Sequence, residues 1–87
     1  MLKFKIYTSS ICGYCIAAKK LLKELDINFE EINIDGMPSL KAKMIKESNG
    51  KKTVPQIFFD NKLIGGCDDL YALHENGDLK KLLKKSD

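Results

Sequence analysis

LKFKIYTSSICGYCIAAKKLLKEL, residues 2–25, changes its hydrophobic period once, and the fold follows from where it does so. Leu2, Phe4 and Ile6 alternate with Lys3 and Lys5, a period of two that predicts a strand over Leu2–Thr8. After the small polar break Thr8-Ser9-Ser10, Ala18, Leu21, Leu22 and Leu25 fall at i, i+3, i+4 and i+7, which predicts one face of a helix. Cys12-Gly13-Tyr14-Cys15 therefore sits where a strand hands over to a helix.

Outward from this unit, Phe29–Ile34 is a second strand with Phe29, Ile32 and Ile34 apolar, although Glu30-Glu31 interrupts strict alternation. Asp35-Gly36 then makes a turn. Met37, Leu40 and Met44 share a helical face, and Asn49-Gly50 ends that segment as helices commonly end. Gln56–Phe59 and Lys62–Ile64 are short apolar runs on either side of Asp60-Asn61, a hairpin pattern closed by Gly65-Gly66. From Asp68 the pattern is helical again through Leu70 and Leu73; Gly77 breaks it, and Asp78 can cap a last helical stretch carrying Leu79, Leu82 and Leu83. The order is β-α-β-α-β-β-α with a helical tail. A right-handed parallel crossover followed by a hairpin predicts an α/β fold, a mixed four-stranded sheet with helices packed on it.

Eighty-seven residues leave room for one core, so one domain over residues 1–87 is expected. The balance of 44% hydrophobic and 31% charged residues is that of a globular domain. The alternating N-terminus lacks the continuous apolar run of a signal peptide, and no later segment is long enough to span a membrane. Lys80–Lys85 is expected to pack its leucines on the sheet rather than lie on a lipid surface. The net charge of +3 is carried by lysine alone, and the lack of arginine argues against nucleic acid as a partner. Lys41, Lys43 and Lys46 are expected to form a solvated helix face. Three cysteines, an odd number without a secretory leader, point to a reducing compartment, the cytoplasm.

A dithiol redox centre needs two sulfurs within bonding reach, one of them easily ionised, and C-x-x-C opening a helix supplies both. At the helix start Cys12 faces unpaired backbone N–H groups and the positive end of the helix dipole, which favour negative charge, so Cys12 is expected to be the nucleophile. Cys15, one turn in and more covered, is expected to be the resolving thiol. Lys19 or Lys20 would add to the positive field if either turned toward the pair. The competing structural use of C-x-x-C is half a zinc site, and Cys12, Cys15, Cys67 and His74 do form a Cys₃His inventory. Cys67 and His74 share one predicted helix at a spacing outside the usual ligand patterns, however, and C-x-x-C within a β-α-β unit favours redox chemistry. No metal ligands are therefore assigned, and His74 is expected to be an ordinary exposed helix residue.

Cys12-Gly13-Tyr14-Cys15, Thr53-Val54-Pro55-Gln56-Ile57-Phe58 and Gly65-Gly66-Cys67-Asp68-Asp69-Leu70, in this order and spacing, resemble the bacterial dithiol glutaredoxins, close to the glutaredoxin 3 type. The resemblance covers essentially the whole chain, and it departs from the Trp-Cys-Gly-Pro-Cys of thioredoxins. It implies a thioredoxin-like fold with the four-stranded mixed sheet packed between helices. It also implies a glutathione-dependent disulfide oxidoreductase that reduces protein disulfides and glutathione mixed disulfides. Pro55 aligns with the family's cis-proline, which would expose the Val54 backbone to pair with the cysteinyl unit of glutathione. Gly66, Cys67, Asp68 and Asp69 align with the γ-glutamyl pocket: helix-start N–H groups for the carboxylate, the Asp69 carboxylate for the ammonium. Tyr14 and Thr53 flank the site in the resemblance.

Two positions depart from the family pattern. Gly13 stands where relatives usually have proline. Ser9 stands where many carry a lysine for the glycyl carboxylate of glutathione, a role that Lys51 or Lys52 would have to fill. The implied partners are glutathione, disulfide-containing or glutathionylated proteins and, among clients, ribonucleotide reductase. The alternative that Gly13 opens is a carrier holding a [2Fe–2S] cluster between two copies through Cys12 and glutathione, with a monomer expected otherwise.

Overall fold

The computed structural model describes residues 3–85. The elements run β1 (Phe4–Thr8), α1 (Gly13–Glu24), β2 (Phe29–Asn33), α2 (Pro38–Glu47), β3 (Gln56–Phe59), β4 (Lys62–Gly65), α3 (Cys67–Glu75) and α4 (Asp78–Lys85). The sheet order is β2-β1-β3-β4. β1 pairs parallel with β2, Phe4 opposite Phe29 and Thr8 opposite Asn33, and antiparallel with β3, Phe4 opposite Phe59 and Tyr7 opposite Gln56. β3 and β4 form the antiparallel hairpin. Asp60 and Asn61 at its tip both have positive φ, the conformation that two-residue hairpin loops require and that these two residue types tolerate. The mixed four-stranded α/β sheet is the one expected from the pattern; Leu2, assigned to the first strand from sequence, lies outside the described residues.

The period of two in β1 sends its side chains to two different cores. Phe4 and Ile6 join Ala18, Leu21 and Leu22 of α1, Leu70 of α3 and Leu79 of α4. Tyr7 goes to the other face, with Phe58 and with Met44 of α2. Each fully buried Leu, Ile or Phe contributes about 1.5–3 kcal/mol, so the three-helix face carries most of the stability. On the α2 face the Tyr7 hydroxyl donates to Glu47 Oε1 at 2.6 Å and Lys5 Nζ donates to the same oxygen at 3.1 Å. Burial would raise the Glu47 carboxyl, but these two donors hold it below the usual range.

Three local expectations need correction. Met37 is not part of the α2 apolar face: it precedes the helix as N-cap, in a non-helical conformation, and is exposed. The cause is Pro38, which suits the first helical position and disfavours helical geometry in the residue before it. Ile45 packs against the α2-side core beside Met44 instead. α3 starts at Cys67, one residue earlier than the apolar period indicated. His74 is half-buried rather than exposed.

Candidate active site

The loop between β1 and α1 is held from below. Asp35, in the turn after β2, accepts from Ser9 Oγ at 2.7 Å and from the Ser10 backbone N–H at 2.9 Å, and these donors keep its carboxyl below the ordinary range. The loop delivers Cys12 to the N-cap of α1 in an extended conformation, where its Sγ accepts from the Cys15 N–H at 3.0 Å. One of the four donors that every helix start leaves unpaired is thus aimed at this sulfur. Cys12 is half-buried, and its Sγ also lies 3.6 Å from the Val54 carbonyl oxygen, to which the thiol donates.

Cys15 is fully buried. Burial, then its hydrogen bond with Cys12, pushes its thiol up to about 12; Ser9 and Lys19 only partly oppose the rise. The pair is therefore asymmetric, a half-buried sulfur accepting the Cys15 N–H beside a fully buried one held as the neutral thiol. Of the two lysines that would have added to the field by turning toward the pair, Lys19 is engaged by Glu31 at 2.9 Å, and Lys20 lies 4.0 Å from Glu24 with both groups mostly exposed. Glu31 also accepts from Thr8 Oγ1 at 2.7 Å; the Lys19 and Thr8 hydrogen bonds hold its carboxyl below the ordinary range. A Cβ at Gly13 would meet nothing within 4 Å, so steric room does not explain the glycine there.

Opposite the cysteines the Val54–Pro55 peptide is cis. A groove of 490 Å³ runs beside it, bordered by Tyr14, Lys51, the Thr53–Gln56 segment and Gly66–Asp69. All the candidate ligand residues, Tyr14, Thr53, Val54, Pro55, Gly66, Cys67, Asp68 and Asp69, thus line one groove. Lys51 lies on it too, whereas Lys52 belongs to a neighbouring groove with Ser9, Asp35 and Met37.

The far end of the groove is the start of α3. Asp69 Oδ2 accepts from the Gly66 N–H at 3.0 Å, the reciprocal half of a capping box, so this carboxylate supports the helix start in addition to bordering the groove. Cys67 is buried at the first helical position; burial, then the charges of Asp68 and Cys12, push its thiol up.

Sequence patterns missed two contributors. Gln56, 2% exposed, donates its amide to the Thr53 carbonyl at 3.0 Å and to Thr53 Oγ1 at 3.3 Å, fixing the segment that faces Cys12. A glutamine opening an apolar strand was the available signal. Asp35 read only as a turn residue, because the serines it holds are far away in sequence. Among the described residues no three His, Cys, Asp or Glu side chains gather as a metal site.

The family profile described as Glutaredoxin matches residues 4–64. Glutaredoxin 3 of Escherichia coli strain K12 is 51% identical over 84 residues, 97% of this chain and 100% of that protein. The solution structure of a glutaredoxin from Brucella melitensis superposes with a TM-score of 0.84 at 44% identity, covering 100% of this chain and 94% of that one. A buckwheat glutaredoxin, solved as its complex with glutathione, superposes with a TM-score of 0.86 at 30% identity, covering 95% of this chain and 77% of that one.

Proposed function

The chain belongs to the glutaredoxin family, and from that premise we propose that it reduces protein disulfides and glutathione mixed disulfides with Cys12 as nucleophile, Cys15 as resolving thiol and glutathione as reductant. One observation carries the assignment of roles. Cys12 Sγ sits at the N-cap of α1, accepting the Cys15 N–H, and lies 3.6 Å from the carbonyl oxygen of Val54, a residue that lines the groove ending on the first turn of α3.

The steps follow from that asymmetry. With a protein disulfide, the Cys12 thiolate forms a bond to one substrate sulfur and the other leaves as a thiolate, which takes a proton. Cys15 then loses its proton and attacks the Cys12 sulfur, expelling the second substrate thiol. The substrate gains two electrons and the Cys12–Cys15 disulfide holds the oxidation. Two glutathiones restore the dithiol in successive exchanges and leave as glutathione disulfide. With a glutathionylated protein, Cys12 attacks the glutathione sulfur, the protein thiol departs, and a second glutathione releases glutathione disulfide from Cys12. Burial holds Cys15 as the neutral thiol in the reduced pair, which leaves Cys12 as the attacking sulfur.

Glutathione is assigned to the 490 Å³ groove. Its cysteinyl backbone pairs with Val54 beside Pro55, and Tyr14 and Thr53 flank it. Its γ-glutamyl carboxylate meets the N–H groups of Cys67 and Asp68 at the positive end of α3, behind Gly66. Its ammonium meets the Asp69 oxygen not used by the Gly66 N–H, and Lys51 takes its glycyl carboxylate. Disulfide-bearing or glutathionylated polypeptides are the clients, ribonucleotide reductase among those to be tested, and the compartment is one rich in reduced glutathione, the cytoplasm.

The test is the difference between two variants. Cys12→Ser should abolish both activities. Cys15→Ser should lose most reduction of protein disulfides yet keep deglutathionylation, because glutathione itself can resolve the Cys12 adduct. Equal loss of both activities in Cys15→Ser would exclude the assigned roles.

A further inference from the structure

Four large apolar side chains are conspicuously exposed among the described residues, and three of them surround the nucleophile: Ile11 at 95%, Tyr14 at 68% and Ile16 at 62%. Ile16 lies one helical turn past Cys12, its N–H bonded to the Cys12 carbonyl at 3.2 Å, so the two side chains share a face of α1. That face continues into a groove of 540 Å³ lined by Ile16, Lys19, Lys20, Lys23 and Glu24, three lysines against one glutamate. Lys19 is taken up by Glu31; Lys20, 4.0 Å from Glu24 in a solvent-exposed pair, and Lys23 are exposed. The groove assigned to glutathione shares no residue with this one; of the three exposed apolar side chains only Tyr14 borders it, with Lys51, the Thr53–Gln56 segment and the start of α3.

We infer that this α1 face is the docking strip for the polypeptide half of a mixed disulfide, and that it selects peptides with an apolar residue near the cysteine and acidic residues farther along. The inference rests on the assignment of Cys12 and its glutathione groove made above. What fixes the occupant is chemical continuity. When Cys12 attacks the glutathione sulfur, the Cys12–glutathione bond forms as the glutathione–peptide bond breaks, and the peptide leaves as a thiolate that takes a proton. The departing sulfur must lie in line beyond glutathione's, about 4 Å from Cys12 Sγ, so the peptide passes close to Cys12, and the exposed apolar and cationic face of α1 is a flank there that the glutathione groove does not use.

The register follows from helix geometry. At 1.5 Å per residue, Ile16 stands about 6 Å along α1 from Cys12, and Lys20 and Lys23 about 12 and 16 Å. An extended peptide advances about 3.3 Å per residue, which puts its apolar residue about two positions, and its acidic residues about four and five positions, from the substrate cysteine.

The probes are synthetic single-cysteine peptides in mixed disulfide with glutathione, carrying Leu at two positions and Glu at four and five positions on each side. A second peptide has Lys in place of Glu, and the mixed disulfide of glutathione with 2-mercaptoethanol supplies the same chemistry without a peptide. The wild-type chain should favour the Glu peptide about fivefold in kcat/KM, a preference that fades with added salt. The double variant Lys20→Glu/Lys23→Glu should invert the preference, and Ile16→Ser should slow both peptides by about fivefold. Both variants should turn over the mercaptoethanol mixed disulfide as the wild type does. Equal rates on the two peptides, or a preference that survives the double substitution, would overturn the docking strip. Failure of the wild type on all three mixed disulfides would overturn the assignment beneath it, and the strip with it.

Discussion

Replacing Gly65 by alanine should test the architecture at the α3 end of the groove. Gly65 closes β4 with φ +126°, a conformation that residues with a side chain rarely adopt, at a cost of about 1–3 kcal/mol. A Cβ there would stand 2.7 Å from Asp69 Cγ and run into its Oδ2, the atom that accepts the Gly66 N–H. The carboxylate can swing away only by giving up that cap, worth about 0.5–2 kcal/mol. Together Gly65→Ala should destabilise the fold by about 1.5–5 kcal/mol, read from urea midpoints at constant slope. In an Asp69→Ala background the cap is already gone and only the approach to the residue-69 Cβ at 3.0 Å remains, so the same substitution should cost its backbone part and that contact, leaving a coupling of about 0.5–2 kcal/mol in the double-mutant cycle. A loss below about 0.5 kcal/mol, or costs that simply add, would refute the view that Gly65 is glycine because Asp69 packs across it.

Two further outcomes are expected. Asp69→Asn keeps an acceptor for the Gly66 N–H but loses the charge, so stability should fall by no more than about 1 kcal/mol while the glutathione-dependent step weakens by about 1.5–3 kcal/mol and dithiothreitol reduction of the Cys12–Cys15 disulfide stays nearly constant; lost stability with unchanged glutathione kinetics would leave Asp69 as a helix cap alone. Glu31 is held below its ordinary carboxyl value of 4.5 by Lys19 and Thr8, so its contribution is complete above that pH and is lost as pH falls through its folded-state value. Glu31→Gln should therefore cost stability at neutral pH and progressively less in acid, and a deficit constant across the acid range would contradict the ionic role.

The succession of elements was legible because each change of hydrophobic period coincides with polar or glycine punctuation, as at Thr8-Ser9-Ser10 and Asp60-Asn61. The two cysteine positions were legible for a related reason. A C-x-x-C that opens a helix must put its first sulfur at the donors, and Cys12 is indeed the N-cap. What local pattern could not supply were partners distant in sequence: Asp35 holding Ser9 and Ser10, or Glu31 joining Thr8 to Lys19. Met37 misled because its spacing suited a helical face, while Pro38 decided where that helix could begin. Asp69 shows the limit of resemblance. The family resemblance implied a ligand for it, and only geometry revealed that one of its oxygens is already committed to Gly66.

The central claim is that Cys12 alone accepts glutathione, in the groove between the Val54 segment and α3. Mass mapping of the Cys15→Ser variant after exposure to glutathione disulfide tests it most directly. One glutathione on Cys12, released by added reduced glutathione, with Cys67 unmodified, is the predicted result. An adduct on Cys67, or no adduct on Cys12 in a folded variant, would contradict it.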